Sequence, residues 1–218
     1  MCVSGCAMKW VRASAVSLAL LLPVLGHAAS GRPRGPADEA LAALKAGQAR
    51  IDALIEREVG KKPPEEWRPK LRKAVNAFID FAELARRALG SHWQKRSTAE
   101  QERFQATMKA LIESAYLSRV TERAEYQVEY LGAEGTKNGE VRVKTVLRAR
   151  DAEIPVEYLL YRKDGRWLVY DIVTDGLSLL ENYRTQFNRL IKRKGFEGLI
   201  ETLERKRAEL ERLEKEGS

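Results

Sequence analysis

The sequence predicts an α+β domain in which grouped helices lead into grouped strands and then into helices again. Three observations carry this. Apolar residues recur at helical spacing from Leu41 to Ala115, the period drops to two between Tyr126 and Val173, and helical spacing returns after Asp175-Gly176. The connections between the alternating segments are short and rich in turn residues, which joins antiparallel neighbours and excludes crossovers. The expected architecture is a small antiparallel four-stranded sheet wrapped by about six helices.

The first segment stands outside that fold. Lys9 and Arg12 precede an uncharged run from Ala13 to Leu25, and Gly26-His27-Ala28-Ala29-Ser30 ends it with small residues. A basic start, a short apolar centre and a small-residue end read as a Sec-type signal peptide over residues 1–28, cut after Ala28 or Ala29. A membrane anchor is disfavoured, because so short a helix spans roughly 20 Å against a hydrocarbon core of about 30 Å. Met8 opens a more conventional signal than Met1 does. Cys2 and Cys6 lie upstream of the apolar run, so the mature chain carries no cysteine and must hold together by packing alone. Removing Lys9 and Arg12 takes the formal net charge from +8 to +6.

A Gly/Pro/Arg linker over residues 29–36 leads into a domain over 37–203, followed by a charged helix end over 204–218. The first helix, Ala37 to Val59, carries Leu41, Leu44, Ile51, Leu54 and Ile55 on one stripe, and Gly60 and Pro63-Pro64 stop it. The second, Glu65 to Phe78, places Trp67, Leu71, Val75 and Phe78 at steps of four, four and three. A short helix follows from Phe81 to Leu89 and ends at Gly90. Ser97-Thr98-Ala99-Glu100 is a capping box for a helix with Phe104, Met108, Leu111, Ile112 and Ala115 on one face. Four strand segments then centre on Tyr126–Tyr130, Val141–Leu147, Ile154–Tyr161 and Trp167–Val173. Lys137-Asn138-Gly139, Arg150-Asp151 and Lys163-Asp164-Gly165 separate them, and Asp164-Gly165 is the clearest hairpin signal. Leu180, Tyr183, Phe187 and Ile191 form a helical stripe that Gly195 ends, and Leu199, Ile200 and Leu203 form the next.

The chemistry is sparse. His92 is the one histidine left after export, no Gly-x-Ser-x-Gly accompanies it, and no cysteine joins it in a metal site. Asp171 lies inside an apolar strand, where it is either a base with a shifted pKa or a carboxylate held by backbone amides or an arginine. Charges of both signs alternate, as in Glu204-Arg205-Lys206-Arg207, so the one-sided basic stripe of a nucleic-acid binder is missing. What the chain offers is large apolar surface. Tyr126, Val128, Tyr130, Val143, Tyr158, Leu160, Trp167 and Val169 share one expected sheet face, with Phe104, Met108, Leu180, Tyr183 and Phe187 expected opposite. An ordinary core produces the same pattern.

Two ordered blocks resemble a known family. The first is Phe81-Ala82-Glu83-Leu84-Ala85-Arg86-Arg87-Ala88-Leu89-Gly90-Ser91-His92-Trp93 with Thr98-Ala99-Glu100-Gln101-Glu102-Arg103-Phe104. The second runs from Trp167-Leu168-Val169-Tyr170-Asp171-Ile172-Val173 through Asp175-Gly176-Leu177-Ser178-Leu179-Leu180-Glu181-Asn182-Tyr183-Arg184 to Gly195-Phe196-Glu197-Gly198-Leu199. Their order, spacing and setting resemble the MlaC family, also called the toluene-tolerance or Ttg2D-like family of periplasmic phospholipid-binding proteins. The Pro63-Pro64 segment, Glu65–Val75 and the tail after Glu204 match it loosely.

The resemblance implies a periplasmic shuttle that moves phospholipid between outer and inner membranes, with acyl chains in an apolar cavity between sheet and helices. It implies no catalysis, no metal and no cofactor other than lipid cargo. The implied partners are an inner-membrane ABC transporter complex with an MCE-domain subunit and an outer-membrane lipoprotein assembly, around a monomeric carrier. Candidate wall residues are Leu84, Trp93, Phe104, Met108, Leu111 and Tyr116 before the sheet. Val128, Tyr130, Val143, Val156, Tyr158, Leu160, Trp167, Val169 and Val173 are candidates on it, and Leu180, Tyr183 and Phe187 after it. Arg184 and Arg189 are candidates for the headgroup rim. The physical need is plain: a two-chain lipid has about 30 methylenes at ~0.8 kcal/mol each, so carrying it bare through water costs on the order of 20 kcal/mol. Two other readings remain open, an exported adaptor that docks a protein through its apolar face and a carrier of hopanoid lipid.

Overall fold

A computed structural model describes residues 35–57, 66–120, 127–149 and 152–216, without the side chains of 116–120, 149 and 214–216. The expected signal segment, the linker as far as Arg34, the breaks at Gly60 and Pro63-Pro64, Tyr126 and the Arg150-Asp151 turn lie outside the described residues, as does the side chain of Tyr116.

Helix α1 (Pro36–Glu56) starts with Pro36 in its first turn, where a missing N–H leaves no bond unmade, and Asp38 accepts from the Gly35 amide at 3.2 Å. It buries Leu44, Ile51 and Ile55 on the stripe the spacing predicts. Helix α2 (Trp67–Asn76) buries Trp67, Leu71 and Val75. Helix α3 (Phe81–Leu89) is capped by Asp80, whose Oδ1 accepts from the Glu83 amide at 3.0 Å. A 3-10 helix (Gly90–Lys95) leads to α4 (Thr98–Val120). The predicted capping box is present: Ser97 donates its amide to Glu100 at 2.7 Å, and the Glu100 amide donates to Ser97 Oγ at 3.3 Å.

The sheet is antiparallel throughout, in the order β1 (Gln127–Gly135), β2 (Val141–Ala149), β3 (Ala152–Lys163), β4 (Arg166–Thr174), β5 (Leu177–Ser178). The sequence predicts four strands; the fifth is two residues long, too short for a period-two signal. Asp164 and Gly165 have φ of 50° and 76°, and Asp175 and Gly176 repeat those values. Both pairs make the left-handed two-residue turn that Asp-Gly favours, so Asp175-Gly176 returns the chain to β4 before α5 (Leu179–Glu216) begins. Gly195, at φ 73° and ψ −178°, breaks α5 into the two helical segments that the sequence separates at that glycine. The second segment continues through Glu204 without a boundary. Leu203 is buried, Leu210 packs on the same cluster, and Leu213 is exposed. Among the described residues no helix is long and apolar enough to cross a membrane.

Register settles the sheet faces. Tyr130 lies opposite Thr145, Val143 opposite Tyr158, Tyr158 opposite Ile172, and Leu160 opposite Val169 beyond a bulge. Val128, Tyr130, Val143, Val156, Tyr158, Leu160, Trp167 and Val169 therefore share one face, as expected. Val173, opposite Glu157, is on the other.

The helices across from that face differ from the expected ones. Val141, Val143, Leu160, Trp167 and Val169 form one core with Leu44 and Ile51 of α1 and Leu71 and Val75 of α2. Phe104, Met108, Leu180 and Phe187 belong to a second core with Leu84, Leu89, Leu199, Ile200 and Tyr170, and Tyr183 packs against it. The correction has a physical reason. Phe104 meets Phe187 edge-on at 5.5 Å and Phe196 at 6.3 Å, so α3, α4 and α5 bury their stripes in one another.

Candidate ligand cavity

An apolar cavity of ≈220 Å³ lies where the two cores meet. Ile51 of α1, Val75 of α2, Phe81 and Leu84 of α3, Ile112 of α4, Leu147 of β2, Tyr158 of β3, Val169 and Ile172 of β4 and Leu179 of α5 border it, with Phe78 and Ile79 from the α2–α3 connection. Ile112 packs against both cores.

Main-chain bonds set this wall. Because β5 covers only the end of β4, the β4 edge near Val169 is left for another segment. The α2–α3 connection takes it: Val169 donates to the Phe78 carbonyl at 3.0 Å, and Asp80 donates to the Val169 carbonyl at 2.9 Å. Gly47 lets α1 come close, since a Cβ there would sit 2.5 Å from the Phe78 ring.

Four polar side chains border the cavity: Gln48, Arg72, Glu113 and Asp171. Gln48 donates to Asp52 Oδ1 at 2.9 Å. Asp171, 3% exposed, accepts from the Leu180 amide at 2.9 Å, the Ile172 amide at 2.8 Å and Ser178 Oγ at 2.6 Å. These bonds clamp the β4–β5 turn onto the head of α5, so Asp171 is the amide-held carboxylate of the two sequence readings. Glu113 Oε1 is shielded from solvent and accepts no hydrogen bond; Lys109 Nζ comes to 3.9 Å. Among the described residues Arg72 makes no hydrogen bond or ion pair. His92 Nε2 is 2.9 Å from Asn188 Oδ1 and ties the 3-10 helix to α5. Among the described residues no His, Cys, Asp and Glu side chains group as a metal site.

Asp171 also borders a second, open cleft of ≈710 Å³ on the other side of the sheet. Arg86, Arg87, Arg142 and Arg184 line it with Glu157, Glu181, Tyr170 and Val173. Its cations are engaged. Arg87 bonds Glu83 at 2.7 Å and Glu140 at 2.8 Å and lies 3.8 Å from the centre of the Tyr170 ring. Arg86 bonds Glu83 at 2.7 Å, and Arg142 sits 3.4 Å from Glu157. Arg184 donates to the Arg87 carbonyl at 3.1 Å and to Glu181 at 2.6 Å. The network continues to Asp80, which accepts from Tyr161 at 2.6 Å and Lys163 at 2.8 Å. Burial alone would raise the Asp80 carboxyl, but the bonds from Lys163, Tyr161 and the Glu83 amide outweigh it and leave the carboxyl below its ordinary pKa. Glu83 is lowered the same way, its burial outweighed by Arg86 and Arg87. Burial first, then the bond to Glu140, raises the Tyr170 phenol.

The residues named from sequence fall in several places. Leu84, Tyr158 and Val169 border the apolar cavity. Val173, Leu180 and Arg184 border the open cleft. Val143, Leu160 and Trp167 fill the first core, and Tyr130 packs on it under Lys45, 4.8 Å from its ring centre. Val156 is buried opposite Thr145, and Val128 is half-buried. Phe104, Met108, Leu111 and Phe187 fill the second core, with Trp93 and Tyr183 against it. Arg189 is exposed on α5 and borders neither cavity. Sequence reasoning missed Ile51, Val75, Phe78, Ile79, Phe81, Ile112, Leu147, Ile172 and Leu179. Their helical or strand stripes were visible, but nothing in a stripe says that it borders a gap.

Known proteins are similar to this chain over most of its described length. It is 24% identical over 171 residues to the intermembrane phospholipid transport system binding protein MlaC of Haemophilus influenzae, covering 75% of each chain. It is 24% identical over 147 residues to the toluene tolerance protein ttg2D of Pseudomonas putida, covering 66% of this chain and 68% of that one. A solved phospholipid-binding protein from Ralstonia solanacearum, in complex with a phospholipid, shares the fold: TM-score 0.69 at 23% identity, over 79% of this chain and 98% of that one. The MlaC protein family model matches residues 38–205, from the first turn of α1 into the second segment of α5, and this chain belongs to the MlaC family.

Proposed function

We propose that this chain is a periplasmic phospholipid carrier, the soluble binding component of an intermembrane lipid transport system. The observation that carries the reading is the apolar cavity between the two cores. An apolar cavity of about 150 Å³ stays dry and admits benzene. One of ≈220 Å³ has room for a segment of an acyl chain, not for two whole chains. Loading therefore requires the wall to open. The wall residues are Ile51, Phe81, Leu84, Tyr158, Val169 and Ile172. Buried apolar surface contributes about 25 cal/mol per Å² and needs no nucleophile, so binding and release are the whole activity.

In this reading residues 1–28 are the export signal, 29–36 a tether, and 37–203 the lipid-binding domain, extended by a charged helix end over 204–218. The carrier takes lipid between an outer-membrane lipoprotein assembly and an inner-membrane MCE-domain ABC transporter, and phospholipid is its cargo. The test is native mass spectrometry of the mature chain purified without detergent, followed by organic extraction. About one phospholipid per chain is the expected result for a single cavity. A protein that is empty and takes up no lipid from vesicles overturns the carrier reading in favour of an adaptor. Extraction of a hopanoid in place of phospholipid overturns the cargo.

A further inference from the structure

Helix α2 carries Arg68, Lys70, Arg72 and Lys73 and no acid. Trp67, Leu71 and Val75 take its inward face, which leaves the rest of the helix to the cations. Lys70, Arg72 and Lys73 are exposed, and Arg68 is half-buried. Glu66, just before the helix, answers Lys70 at 3.4 Å. Among the described residues Arg72 and Lys73 make no hydrogen bond or ion pair. The helix dipole does not account for the run, because Arg68 and Lys70 stand in the first turn, at its positive end. Trp67 Nε1 donates to the Leu54 carbonyl at 2.7 Å and ties α2 to the end of α1, where Arg50 and Arg57 are matched by Asp52 and Glu56. The excess of positive charge is therefore a property of α2. The same helix is a wall of the apolar cavity, through Arg72 and Val75.

We propose that the exposed face of α2 docks the protein on an anionic lipid surface. The proposal rests on the phospholipid reading and names the kind of surface the carrier meets. A layer of anionic headgroups is diffuse negative charge, and cations spread around a helix meet it without any matching pocket. A protein partner asks for more, because its interface draws most of its energy from buried aromatic or apolar anchors. Helix α2 offers none: Trp67, Leu71 and Val75 are all turned inward. Among the described residues the exposed large apolar side chains are Leu131, Leu177 and Leu213, on β1, β5 and α5. The basic run on α5 is the contrast. Lys192, Arg193 and Lys194 are also exposed, but they occupy the turn before Gly195, where the dipole favours cations, and they border neither cavity. Docking through α2 sets a wall of the apolar cavity against the lipid.

The experiment measures cosedimentation of the mature chain with vesicles of phosphatidylcholine alone and of equal parts phosphatidylcholine and phosphatidylglycerol. Binding is expected on the anionic vesicles, not on the neutral ones, and it is expected to fade at high salt. Each basic side chain near an anionic surface is worth about fivefold, so Lys70→Gln, Arg72→Gln and Lys73→Gln together are expected to weaken binding about a hundredfold. Lys192→Gln, Arg193→Gln and Lys194→Gln remove the same charge and are expected to weaken it less than about fivefold. Lys70→Arg, Arg72→Lys and Lys73→Arg together keep the charge and are expected to bind as the wild type does. A loss in that charge-conserving variant overturns the proposal. Equal losses in the two glutamine variants overturn it in favour of net charge. Equal binding to neutral vesicles also overturns it. A wild-type chain that copurifies with lipid but ignores the anionic vesicles overturns it, gives α2 to an acidic protein surface, and leaves the carrier reading standing. A wild-type chain that binds the anionic vesicles through α2 but neither carries nor takes up lipid overturns the carrier reading alone.

Discussion

The two cavities on either side of the sheet differ in what their walls leave undone. The open cleft has four arginines in its wall, yet Arg86, Arg87, Arg142 and Arg184 are all held by carboxylates or by a carbonyl within 3.4 Å. The apolar cavity has three charged side chains in its wall: Asp171 is held by amides, Glu113 pairs with Lys109 at 3.9 Å, and Arg72 is exposed on α2. A count of positive charges would choose the cleft as the place for a phosphate. The bonds those arginines already make argue against that choice. A cation that is already bonded must give up that bond before it takes another, so its net gain from a new anion is small.

Asp171 borders both cavities, so removing it breaks the comparison at its root. Asp171→Ala strands the Leu180 amide and Ser178 Oγ and is expected to cost about 3 kcal/mol. Urea denaturation would show a lower midpoint, and an unchanged midpoint would mean that the clamp on α5 is redundant. The next effect separates the two sides of β4. Ile172→Trp fills the apolar cavity and is expected to reduce lipid uptake more than about tenfold, whereas Val173→Trp, on the cleft side, should change it by less than about twofold. Equal losses in both would place lipid on both faces.

A smaller effect concerns acid. The Asp80 and Glu83 carboxyls have lower pKa values folded than unfolded. Their stabilisation is complete above the ordinary carboxylate range and is lost as the pH falls through their lower folded values. Stability should therefore decline below about pH 4, and Asp80→Asn should flatten that decline. A wild-type profile flat down to about pH 2 would show the network to be idle. The smallest effect is expected for Arg184→Gln, which removes a cation already spent on Arg87 and Glu181, and uptake should change by less than about twofold. A large loss would restore Arg184 to the headgroup rim.

Much of the fold was legible in local signals. Ser97 and Glu100 announced the start of α4, Asp164-Gly165 the β3–β4 hairpin, and Gly195 the break in α5. Each is a short-range device whose physics is complete within a few residues. The sheet face from Val128 to Val169 was legible because side chains alternate across a strand, so one face follows from counting. The site was far less legible. Phe104 and Phe187 looked like partners for that face but found each other instead, and Phe78, just past the end of α2, became a wall because a main-chain bridge to Val169 holds it there.

The sequence alone determined which side of each helix and strand turns inward, where the turns fall, and that a chain with two histidines and with cysteines only at positions 2 and 6 relies on apolar packing. Tertiary structure decided which inward faces meet. It placed α1 and α2 over the sheet, packed α3, α4 and α5 into a second core, and left a gap between them. It also decided which charges are paired: Arg184, a headgroup candidate on sequence, is spent on the Arg87 carbonyl and Glu181. The reason is that periodicity is a property of one segment, whereas a cavity and an unmet charge are properties of several segments at once.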